Sequence, residues 1–121
     1  YVALVDGTPP SEQGTVTLPL RPDVADRPRQ VVDARSGKTA VTHFRVISTH
    51  QGHARIEFHP HTGRTHQLRV HASHKQGLNA PIVGDMLYGR AADRLYLHAE
   101  SITFTHPVTH KVITVSRKAV F

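Results

Sequence analysis

The sequence contains no cysteine and no tryptophan, a single methionine, and only 6% aromatic residues. Without cysteine, disulfides and thiolate chemistry are excluded, which suits a reducing compartment such as the cytoplasm. No apolar run approaches the roughly 20 residues that a membrane-spanning helix needs. The opening YVALVDG has neither the basic start nor the long apolar stretch of a signal peptide. Acidic residues are also scarce. Asp and Glu number 9 against 15 Lys and Arg, a net charge of +6 before any of the 11 histidines takes a proton. Histidines titrate near neutrality and add positive charge beside an anionic surface. The balance favours nucleic acid or another polyanion as partner, although a merely soluble basic protein would share it.

What is present fits one domain. A chain of 121 residues can bury roughly two-thirds of the surface its unfolded form exposes. With 38% hydrophobic and 20% charged residues, it reads as globular. YVALV alternates from Tyr1 onward as a strand would, and strands rarely begin at the first residue of a natural domain. The chain is therefore expected to be a segment of a longer protein. DGTPPSEQG follows as a turn. The passage from Arg21 to Lys38, RPDVADRPRQVVDARSGK, holds no sustained period and reads as a long basic loop. THFRVIS and HARIEFH place Phe44 and Val46 on one face and Ala54, Ile56 and Phe58 on another, a hairpin about the turn THQGH. RLYLHAESITFTHP and HKVITVS form a second hairpin, with Ile102 and Phe104 sharing a face and Val112 or Ile113 with Val115 facing inward. Between them, Thr62 to Gly77 is expected as the principal helix, with Thr62 as N-cap and Gly77 as the terminating glycine, although Leu68, Val70 and Ala72 alternate. The fold class is α+β: a mainly antiparallel mixed sheet with one principal helix.

The most unusual stretch is His59–His74, HPHTGRTHQLRVHASH, with five histidines and two arginines in sixteen residues. HExxH, which would give two zinc ligands at helical spacing with a base between, is absent, and no carboxylate or cysteine falls among the histidines. Two arginines there would oppose a dication, so no metal is expected. An anion fits better: a helix opening at Gly63 would present free N–H groups, and Arg64 and Arg69 would add guanidinium forks. Arg69, amid apolar neighbours, must be partly buried and needs a fixed acidic partner. None lies in an obvious local position, which puts the partner outside the segment.

HPHTGRTHQLRVH, PIVGDMLYG and RLYLHAESITFTHPVT together closely resemble the RluA-type pseudouridine synthase family. YVALVDG resembles that family's tyrosine-bearing segment, and RPRQVVDARSGKTAVTHFRV the loop and strand that follow. The resemblance runs in order along nearly the whole chain. It implies part of a catalytic domain that isomerises uridine in RNA to pseudouridine without cofactor or metal. The target base is flipped out, its N-glycosidic bond is cleaved, the base turns, and C5 is reattached. The family's essential aspartate stands in an RLD-type motif that this sequence lacks. The resemblance places it before Tyr1, making residues 1–121 the C-terminal portion of the domain, inactive alone.

By the same resemblance, Tyr1 matches the tyrosine that stacks on the target base and is implicated in proton removal at C5, and Arg69 the arginine that pairs with the catalytic aspartate. Leu97 is a pocket-wall residue. Arg64, His66 and Gln67 would face the RNA, and Arg27, Arg29 and Lys38 would lie on a loop touching backbone phosphate, both from charge and placement. The partner is ribosomal or transfer RNA; a non-catalytic basic RNA-binding module is the alternative. Three features depart from the family: a longer link HKQGLNAPIVGD, His110 where a glycine is usual, and a C-terminus, SRKAVF, without the usual prolines. The missing half is expected to leave an unpaired edge and apolar surface near Tyr1, and with them self-association.

Overall fold

The structure is a computed structural model that describes residues 1–121. Nine strands and one helix follow in chain order: β1 (Val2–Asp6), β2 (Gln13–Thr17), β3 (Leu20–Pro22), β4 (Gln30–Val32), β5 (Val41–His50), β6 (His53–Pro60), α1 (Gln67–Ser73), β7 (Leu97–His98), β8 (Ser101–Thr105) and β9 (Val112–Ser116). Five of the strands form one antiparallel sheet in the order β2-β5-β6-β1-β7. β5 and β6 are its centre. Gln51 (φ 49) and Gly52 (φ 81) form a two-residue turn whose twist matches the flanking strands. Ala54, Ile56 and Phe58 alternate inward and are all but inaccessible. Phe44 pairs with Phe58 and Val46 with Ile56, so the expected faces meet, and a bulge between Val46 and Ser48 leaves Ile47 exposed.

The helix is shorter than expected. It runs only from Gln67 to Ser73, preceded by His66 in a left-handed conformation (φ 55). Thr62 does not cap it. Its last carbonyls are satisfied by returning chain: Leu78 N–H donates to His71 O and Ala80 N–H to Ala72 O. Gly77 is required by this close return and not by φ, because a Cβ there would run into the His71 carbonyl. The alternation of Leu68, Val70 and Ala72 has a packing cause. Leu68 and Ala72 enter the main core against β1, β5 and β6, whereas Val70 enters a second cluster with Leu20 and Ala40. A helix buried on two sides loses the single stripe that periodicity detects.

Other expectations change as well. The passage from Arg21 to Lys38 is not wholly loop, because β3 and β4 pair within it. RLYLHAESITFT does not form one strand: Leu97 and His98 join β1 in the main sheet, and β8 pairs with β9 separately. Neither face of that second hairpin is buried. Ile102 is 61% exposed and Val115 54%, and they stand opposite each other, as do Phe104 and Ile113. β1 itself is not an edge: it lies between β6 and β7, with Ile82 bridged to Val5 beyond β7. The sheet ends beside Tyr1 at the two-residue β7, Tyr1 is itself 44% exposed, and further apolar side chains are exposed on β8 and β9. No helix is long and apolar enough to cross a membrane.

Candidate nucleotide-binding site

Tyr1 extends β1 by one residue; its amide carbonyl accepts from Phe58 N–H. The backbone pairing of Ala3 with Leu97 brings β7 alongside. The ring of Tyr1 and the side chain of Leu97 line a hollow of about 280 Å³ whose opposite wall is the loop from Thr62 to His66 and the start of α1, including Arg69. This volume lies at the low end of ligand pockets, which run from about 300 Å³ upward, and suits one nucleoside-sized group. Tyr1, Leu97, Arg64, His66, Gln67 and Arg69 are thus brought together. Arg27, Arg29 and Lys38 are not among the residues that line it.

Arg69 has a partner inside the chain, contrary to the expectation. Its Nε donates to Asp85 Oδ2 at 2.9 Å and its Nη2 to Asp85 Oδ1 at 2.8 Å. Asp85 is wholly buried, and its Oδ1 also accepts from the Leu87 and Tyr88 N–H groups. Burial alone would raise the Asp85 carboxyl, but the guanidinium and the two amides outweigh it and hold it below the usual range. The hydrogen bond to Asp85 in turn raises Arg69. This two-point clamp leaves Nη1 without a partner in the protein, on a residue whose side chain is 19% exposed and lines the hollow. The signal for Asp85 was available: an aspartate inside the apolar passage PIVGDMLYG must find a cation if it is buried.

Tyr88 was also missed. Its hydroxyl accepts from Gln30 N–H at 2.8 Å and reaches His66 Nδ1 at 2.9 Å. Its ring lies between two guanidinium groups, Arg29 at 5.3 Å and Arg69 at 5.4 Å from the centroid. Burial, then Arg69, holds His66 below its ordinary value. Arg29 is therefore occupied by Tyr88 and by Asp26, to which its Nε donates, whereas Arg27 is exposed and unpaired.

Gln67 does not face outward. It is 4% exposed and its amide is fully used. Its Oε1 accepts from Thr62 Oγ1 and from Arg64 N–H; its Nε2 donates to Val41 O and to Thr42 Oγ1. Thr42 Oγ1 lies 2.8 Å from Nδ1 of the buried His71, whose Nε2 meets Leu18 O at 2.9 Å. Since that carbonyl can only accept, Nε2 carries the proton and Nδ1 accepts from Thr42. Burial holds His71 well toward the neutral form. Gln67 and His71 therefore position the Thr62–Arg64 lip of the hollow from behind. The remaining histidines disperse: His59 reaches Glu57, His61 packs edge-on to His43, and His74 Nδ1 accepts from Gln76 N–H. With the helix beginning only at Gln67, Gly63 does not open it, and the helix-end anion site falls away.

Residues 1–74 match the family model described as RNA pseudouridylate synthase. The dual-specificity RNA pseudouridine synthase RluA of Haemophilus influenzae is 40% identical over the whole chain, and that of Escherichia coli 43%. Among solved structures, human RNA pseudouridylate synthase domain containing 1 superposes with a TM-score of 0.81 at 26% identity, covering 98% of this chain and 53% of that one. Human RNA pseudouridylate synthase domain containing 4 gives 0.74 at 25% identity, covering 97% and 56%. The α+β domain with this hollow on its sheet belongs to the RNA pseudouridine synthase family, and within it to the RluA type. The chain spans 57% of the length of the two RluA relatives.

Proposed function

We propose that this chain is the C-terminal portion of a pseudouridine synthase catalytic domain, the part that holds the target uridine and anchors a catalytic aspartate supplied from outside the sequence. The observation that carries the reading is the uncommitted Nη1 of Arg69 in the same hollow as Tyr1 and Leu97. Clamped by Asp85, Arg69 cannot swing away, so a carboxylate entering the hollow meets a fixed guanidinium that keeps it ionised and oriented. Tyr1 stacks on the flipped base, and Leu97 beside it excludes water. Stacking and the basic surface offset the few kcal/mol that flipping costs. The isomerisation breaks C1′–N1 and forms C1′–C5; N1 gains a proton and C5 loses one, with no net redox change.

The substrate in this reading is ribosomal or transfer RNA, and the location is cytoplasmic. Arg27, whose guanidinium has no partner in the chain, and Arg64 contribute phosphate contacts. Pseudouridine in total RNA from cells with and without the gene, mapped site by site, tests the reading. Loss of at least one site, restored by the wild-type gene and not by Arg69→Ala, is expected. An unchanged map sinks the enzymatic reading and leaves the basic RNA-binding module. Self-association, where it occurs, uses the exposed apolar face of β8 and β9.

A further inference from the structure

A second hollow, of about 360 Å³, opens on the other side of the lip, and Gly63 and Arg64 line both. Its far walls come from β3, β4 and the turn after them. Three cations border it, Arg21, Lys38 and Arg64, and no carboxylate does. Lys38 is exposed and makes no ion pair or side-chain hydrogen bond. Arg64 gives only Nε, to Thr39 O at 2.8 Å, which fixes its stem and leaves both terminal nitrogens free. Arg21 gives Nε to Asp33 and Nη1 to Pro22 O, leaving Nη2.

Gly63, on the ridge between the hollows, has an ordinary φ, and a Cβ built there would meet nothing within 4 Å. Neither backbone conformation nor packing inside the chain calls for glycine at this position. What a side chain would obstruct is the passage from one hollow to the other. A chain of nucleotides has the matching design: a base that enters one cavity is tied to a phosphate that must leave it.

We propose that the RNA strand crosses Gly63 as it leaves the uridine pocket and lays the phosphate flanking the target nucleotide in the second hollow, between Lys38 and Arg64. The inference rests on the first hollow being the uridine pocket. It makes the minimal substrate a splayed, unpaired stretch with at least one flanking phosphate, and a free nucleoside a poor one.

The test uses the full-length enzyme and an RNA stem-loop that it converts. Lys38→Gln should reduce the slope of log affinity against log salt by about 0.7, the value for one phosphate contact on single-stranded RNA. A neutral methylphosphonate at the flanking phosphate should weaken wild-type binding several-fold, yet leave the Lys38→Gln, Arg64→Gln double variant unchanged. Gly63→Val should melt at the wild-type temperature while losing RNA affinity. Equal methylphosphonate effects in wild type and double variant, or an unchanged salt slope, overturn the inference while conversion by the wild type keeps the pocket reading intact. If no uridine-containing RNA is converted, the reading fails and this inference with it.

Discussion

Removing the carboxylate that holds Arg69 would leave a guanidinium largely inside the protein with nothing to pair it. Asp85→Asn is expected to cost about 3 kcal/mol, since breaking a buried pair strands the other charge, and urea unfolding measures it. Arg69→Lys keeps the charge but not the two-point geometry, so it should preserve most stability and lose activity in the full-length enzyme. His71 supplies a pH dependence. Its folded pKa lies below the ordinary value, so the unfolded chain binds the proton more readily. Stability is then fully present above about pH 6.5 and declines as pH falls toward the folded pKa. His66 acts with the same sign. Urea midpoints at pH 7.5 and 5.5 check this; a flat profile contradicts a neutral His71. At this scale Arg69 was legible because its chemistry demanded a partner. Asp85 carried a signal of its own, a carboxylate inside an apolar passage, but fifteen intervening residues hid that the two would pair.

Among the elements, the strands with one buried face were read correctly, since a period of two survives when only one side packs. α1 was misjudged in extent. The chain leaves helical geometry at both ends through local contacts, His66 with Tyr88 and Gly77 against the His71 carbonyl, that no cap signature reveals. Gly77→Ala should therefore lower the melting temperature by several degrees, because backbone meets backbone there. His110 is the converse case. It sits at φ 58 in the turn between β8 and β9, where glycine would be unstrained. His110→Gly should stabilise the hairpin by up to about 1 kcal/mol, seen as slower amide exchange across Ser101–Ser116.

For the whole molecule, α+β topology followed from turn chemistry and alternation. The second hairpin was read as well, but not its exposure, because its alternation marks a face that the described residues leave open. Ile102, Phe104 and Val115 make the isolated chain prone to associate; sedimentation should show a concentration-dependent shift, suppressed by Ile102→Thr with Val115→Thr. Persistence of the shift in that variant places association elsewhere. The bonds behind the pocket lip carry a different consequence. They begin at the Val41 amide and pass through Thr62, Gln67, Thr42 and His71 to end at the Leu18 carbonyl. Both ends are main-chain groups of fixed polarity, so every proton between them must point the same way. The imidazole is thereby locked as the Nε2–H tautomer, and the nitrogen-15 spectrum of this single core histidine should show a protonated Nε2 beside an unprotonated Nδ1.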